Sequence, residues 1–203
     1  ADRQAKSLGW ASMRTALATL WTDRRVRASA FGYFGHMGEL YTMWVLMPTI
    51  LATRLQGAAL SWAAFAVLGA GALGCVVGGW LAVRFGGARI ATVQLAISGL
   101  CCLAAPWMMQ APTAWFALWL VVWGITVAGD SPQFSALTAN NAPRHAVGSV
   151  LTLTNCIGFA VSALSIEAFV AWSKTTRLET ILPWLALGPA LGLWAMGPLL
   201  RRR

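Results

Sequence analysis

Six apolar runs, roughly residues 28–53, 60–83, 89–110, 113–138, 147–171 and 179–200, divide the chain, and short segments that carry most of its charge separate them. Each run is long enough to cross a hydrocarbon layer about 30 Å thick as an α-helix, which takes about 20 residues at about 1.5 Å rise. Residues 1–27 are patterned differently: Trp10, Met13, Leu17, Leu20 and Trp21 recur at helical spacing among basic residues. That spacing predicts an amphipathic helix lying along the membrane surface, a cytoplasmic linker and not a span. The expected fold is therefore an all-α membrane protein, a linker over 1–27 followed by a bundle of six transmembrane helices over 28–203.

Composition agrees with the pattern. The 203 residues are 58% hydrophobic and 10% charged, and the mean hydropathy is +0.65, outside the range of soluble domains. The net charge of +9 is no sign of a nucleic-acid partner, because the basic residues fall between apolar runs instead of gathering on one patch. Twelve of them lie in the N-terminal segment, the 84–89 and 139–146 loops and the C-terminus, whereas Arg54, Lys174 and Arg177 lie on the opposite side. The positive-inside rule then puts both termini in the cytoplasm, as an even number of spans requires. Cys75, Cys101, Cys102 and Cys156 all fall within apolar runs and read as small buried hydrophobes. Trp107, Trp115, Trp172 and Trp184 stand near run ends, where an aromatic belt belongs. No nucleotide-binding loop, metal-ligand spacing or nucleophile elbow occurs, so no enzyme activity, cofactor or metal is expected. The chain opens on Ala1, as expected of a processed product or of part of a longer one.

One run is anomalous. Between Ala28 and Thr53 stand His36 and Glu39, nine and twelve residues beyond Arg27 and so roughly 14 and 18 Å into the bilayer. Their i, i+3 spacing puts them on one helix face, which Gly32, Gly35 and Met43 share or border. An ionisable group at that depth costs about 2.5 to 3.5 kcal/mol or more, so it faces protein or a water-filled cavity and marks a pathway. Asp130, two residues before Pro132, adds a third ionisable group in the fourth run; the proline removes a backbone donor and leaves carbonyls for Ser131, Gln133 or water to satisfy. Gln133 and Asn155 are neutral hydrogen-bonding candidates for the same cavity. Glu167 is read as interfacial and His145 as solvated. The second run carries Gly69, Gly71, Gly74, Gly78 and Gly79, with small-x-x-x-small spacing that lets helix backbones approach closely.

At the end of the second run the chain reads Gly79-Trp80-Leu81-Ala82-Val83-Arg84-Phe85-Gly86-Gly87-Ala88-Arg89. This resembles the loop signature of the major facilitator superfamily: Gly79, Arg84 and Gly86 match, Val83 stands where the family has an acid, Gly87 replaces a base and Arg89 is displaced by one position. Two further stretches, from Gly32 to Tyr41 and from Gly129 to Ser135, resemble those of bacterial members grouped with nitrate/nitrite-type carriers. The resemblance implies half of such a transporter: a six-helix bundle of two inverted three-helix repeats, which needs a second six-helix bundle, in the same polypeptide or a separate subunit, to enclose a midplane site. The first and fourth spans would be the seventh and tenth helices of the family, which line the central cavity, and they hold His36, Glu39 and Asp130. The loop residues would clamp cytoplasmic helix ends, in a bacterial inner membrane.

Two functions compete on this reading. One is a half-transporter that moves a small polar or anionic solute by alternating access, with protons as the candidate coupling ion, Tyr33, His36, Glu39, Asp130, Gln133 and Asn155 lining its path. On that reading the acid and imidazole look onto a wet crevice that the fourth helix shares and a partner closes. The other is an accessory protein that packs its bundle against another membrane complex, in which His36 and Glu39 satisfy each other as glue between helices.

Overall fold

A computed structural model describes the backbone of residues 2–200 and the side chains of residue 10 and residues 12–200. Of the basic residues counted above, Arg3, Lys6, Arg201, Arg202 and Arg203 have side chains outside the described residues. The described residues contain helices and no strand: α1 (Asp2–Thr22), α2 (Arg24–Ala52), α3 (Gly57–Phe85), α4 (Gly87–Met108), α5 (Thr113–Gly129), α6 (Ser131–Asn141), α7 (Val147–Ser173), α8 (Leu178–Ile181), a 3-10 segment (Leu182–Ala186), α9 (Leu187–Ala195) and α10 (Gly197–Leu200).

Local chemistry sets the breaks. Asp23 ends α1 and caps α2, its Oδ1 accepting from the amides of Arg25 at 2.8 Å and Val26 at 3.0 Å, which satisfies donors that the first turn leaves free. Gly86 alone separates α3 from α4 and sits at φ +91°, a conformation that side chains with a Cβ rarely adopt. Gly86→Ala is accordingly expected to lower the unfolding free energy by about 1–3 kcal/mol; an unchanged melting temperature in detergent would contradict this. In the last segment Pro183 takes away an amide donor, and one turn of 3-10 helix replaces the α-helix there.

Five stretches are long and apolar enough to cross a membrane: α3, α4, α5 with α6, α7, and Leu178–Ala195. α2, with 29 residues, is not among them, which departs from the six runs expected, because its polar residues lower its apolar content. The structure supplies the reason: α2 is buried on most of its circumference, whereas α3 buries Val67, Gly71, Gly74 and Gly78 and little else. A helix enclosed by protein has less need of an apolar surface than one exposed on most sides.

α2 packs most extensively on α7 and α9, and α3 on α5. The α3–α5 contact depends on glycine, since a Cβ at Gly74 would collide with the Ile125 carbonyl, so the small-residue spacing does bring two backbones together. Leu40, Met43, Met47, Ile50, Trp119, Trp123 and Ile181 form one apolar core, and Tyr33, Met37, Leu95, Phe134 and Met196 another. α1 rests Ala16 and Leu20 against Val26, Ala30 and Val150, leaving Trp10, Met13, Leu17 and Trp21 exposed.

Candidate functional site: a buried polar centre

The face of α2 that holds His36 and Glu39 turns into the bundle between the two apolar cores. Both residues and Asp130 are 0% exposed. This corrects the wet crevice expected from the sequence: the three groups are enclosed by helices of this chain, with no exposed surface among the described residues. The spacing argument identified a protein-facing side of α2 correctly, but periodicity cannot tell a cavity wall from a helix–helix seam.

His36 reaches across to the fourth helix. Its Nδ1 lies 2.9 Å from Asp130 Oδ1, and its ring sits between those of Tyr33 and Phe134, with centroids 5.9 and 5.8 Å away. Neither ring nitrogen of His36 and neither oxygen of Asp130 makes a well-directed hydrogen bond among the described residues, so the pair is a close contact of two buried ionisable groups. Asp130 owes its position to the junction of α5 and α6. Pro132 cannot donate to the Ala128 carbonyl, which accepts instead from the Asp130 amide and, at 3.4 Å, from Cys75 Sγ of α3. The freed carbonyl was expected to be met by Ser131, Gln133 or water; a local amide and a thiol from a neighbouring helix meet it.

Glu39 has partners of its own. Oε1 accepts from Trp123 Nε1 at 2.7 Å and from Cys102 Sγ at 3.1 Å, and Oε2 accepts from Ser98 Oγ at 2.9 Å. The pairing of His36 with Glu39 is thus replaced by two separate contacts, His36 to α5–α6 and Glu39 to α4 and α5. An ionised carboxylate is acceptor-only, and three converging donors suit it.

The remaining candidates scatter. Tyr33 stacks beside His36. Gln133 is buried, with its amide beside Gly79 of α3 and Gly87 of α4, so it packs α6 against the adjoining ends of those two helices instead of joining His36. Asn155 is exposed on α7, and its neighbour Thr154 takes the inward position; α7 is rotated about 100° from what a cavity-lining Asn155 needs. Arg84 and Arg89 are exposed and in no ion pair among the described residues, and the Arg84 guanidinium lies 4.2 Å from the Trp80 ring. With Val83 in the acid's place, Arg84 folds back one turn along its own helix. Of the cysteines, Cys101 and Cys102 are buried as expected, but Cys75 is half-buried and Cys156 exposed. Glu167 is exposed. Arg54 crosses the opposite end of the bundle to donate to the Met109 carbonyl at 2.8 Å over the Phe116 ring.

Sequence reasoning missed Ser98, Cys102, Trp123 and Gln94, which donates to the Gly74 carbonyl at 3.1 Å. A signal was present: Ser98 and Cys102 are an i, i+4 pair on one helix face, and Trp123 stands mid-run, far from the interfacial belt.

A family model for the Major Facilitator Superfamily matches residues 2–166, which reaches from α1 through most of α7 and includes every residue of the buried centre. No curated protein matches the chain. The apolar helices and this match make the chain an integral membrane protein, and it belongs to the Major Facilitator Superfamily, whose members are transporters and not enzymes.

Proposed function

We propose that the protein is a six-span half of a secondary transporter that works with a second six-helix bundle and moves a small polar or anionic solute by alternating access, with protons as the coupling ion. α2 is counted as a span on this reading, the first in chain order, its polar content carried inside the bundle. The observation that carries the proposal is the contact between His36 and Asp130. It joins α2 to the junction of α5 and α6, the leading helices of what we take to be two three-helix repeats. The packing is consistent with that symmetry: α2 lies on α7 and on the last segment, and α5–α6 lies on α3 and α4. A buried polar contact between leading helices has to be remade if they shift.

Glu39 would be the proton carrier. A protonated carboxyl must donate as well as accept, so a proton there turns Ser98 Oγ from donor to acceptor and changes the set of bonds that ties α2 to α4 and α5. A glutamine side chain in its place is a permanent analogue of the protonated acid. Glu39→Gln is expected to abolish gradient-driven uptake in proteoliposomes holding the complete transporter, read as internal acidification on adding candidate anions. Uptake at the wild-type rate would dispose of the role.

The accessory reading draws on Arg84, whose stacking on Trp80 leaves the loop signature without the cross-helix clamp that the family resemblance implies. Against it stand three ionisable groups in the interior, which packing against another complex does not require. The linker over 1–27, cytoplasmic termini and a bacterial inner membrane complete the proposal, supported by the distribution of arginine.

A further inference from the structure

A cavity of about 460 Å³ opens where α2 begins and the last helices end, lined by Arg24, Arg27, Phe31, Trp194 and Pro198 among others, none of them acidic. Two basic side chains thus share a hollow with two aromatic rings and a proline. Arg27 is held in place by its own donation to the Trp21 carbonyl, which leaves further guanidinium N–H groups for a ligand. Trp194 is 81% exposed at the end of a membrane-spanning segment, the level at which indole rings meet lipid headgroups. Along α2 the cavity passes from Arg24 to Phe31, that is, over about 10 Å from charge to apolar surface.

We infer that this cavity is a binding site for an anionic phospholipid, whose phosphodiester takes the Arg24 and Arg27 guanidinium groups and whose glycerol and first methylenes lie along Phe31, Trp194 and Pro198. Guanidinium matches phosphate by paired N–H donation, and the apolar wall gives the attached chains a surface that a free inorganic anion does not use. The site holds the start of the first span against the end of the last, so the lipid acts as a bridge between them. The inference needs the membrane location of the chain and not the transport reading.

The test is thermal unfolding of the intact protein in detergent with dihexanoyl-phosphatidylglycerol, dihexanoyl-phosphatidylcholine or inorganic phosphate, each variant read against its own lipid-free melting temperature. Phosphatidylglycerol should raise the melting temperature saturably, and the other two should not. Arg24→Gln and Arg27→Gln should each weaken half-saturation about five-fold, the contribution of one arginine near an anionic lipid surface, and Arg25→Gln, outside the cavity, should leave it unchanged. Trp194→Ala, which keeps both charges, should weaken it too and gives a second reading if an arginine variant fails to fold. An equal response to inorganic phosphate, an equal loss in Arg25→Gln, or a rise that does not saturate would each overturn the site.

Discussion

Replacing His36 with alanine is expected to destabilise the bundle by about 3–5 kcal/mol, through the cavity that a lost ring leaves in a packed interior and the buried Asp130 left without its neighbour. The Asp130 carboxylate would remain at 0% exposure with its 2.9 Å contact gone. Neither of its oxygens has a well-directed hydrogen bond among the described residues, so no bond already in place compensates. Asp130→Asn should be milder, since its amide keeps the shape of the carboxyl and can stay in contact with Nδ1. The decisive measurement is the double-mutant cycle of His36→Ala with Asp130→Ala by unfolding in detergent. A pair that acts as a unit gives a double variant less destabilised than the sum of the singles, with a coupling of about 0.5–3 kcal/mol. Additive losses would mean that each side chain matters only through its volume.

The second large effect is expected at Glu39. Alanine there removes the acceptor for Trp123, Cys102 and Ser98 together and leaves a void. Interhelical hydrogen bonds in membranes contribute about 0.6–1.7 kcal/mol each, so with the void the loss should reach about 2–4 kcal/mol. Ser98 keeps its bond to the Leu95 carbonyl at 3.1 Å, which limits its share. Glutamine should cost less than about 1 kcal/mol, because its oxygen can take the place of Oε1 and its amide can donate to Ser98 Oγ, which can also accept. Trp123→Phe, which deletes one donor, should fall between the two. Thermal unfolding of the three variants gives the order; a Glu39→Gln loss as large as that of Glu39→Ala would show that the carboxylate's charge, and not its acceptor role, holds the helices. The contrast also matters for transport, since Glu39→Gln can report on proton coupling only if it folds.

The chain made its membrane helices legible because a bilayer leaves the backbone little choice. Every amide and carbonyl must be satisfied within the segment, so an apolar run of sufficient length is a helix, and α3, α4 and α7 follow the runs within a few residues. The last run was harder to read, for its prolines break it into short helices by removing donors one at a time. α2 was legible for the opposite reason: its ionisable residues made it conspicuous, and the same polarity keeps it outside the set that length and apolar content select.

Residue identity and spacing by themselves determined that this is a helical membrane protein and that α2 carries ionisable residues on one face. The tertiary structure alone decided that His36 meets Asp130 while Glu39 meets Ser98, Cys102 and Trp123, that Gln133 packs on α3 and α4, and that Asn155 looks outward. The physical reason is rotational. A helix fixes the angle between its own side chains, but the direction that the whole face points is set by how glycine-lined surfaces such as Gly74 against Ile125 fit together, and a single chain segment carries no record of its neighbour.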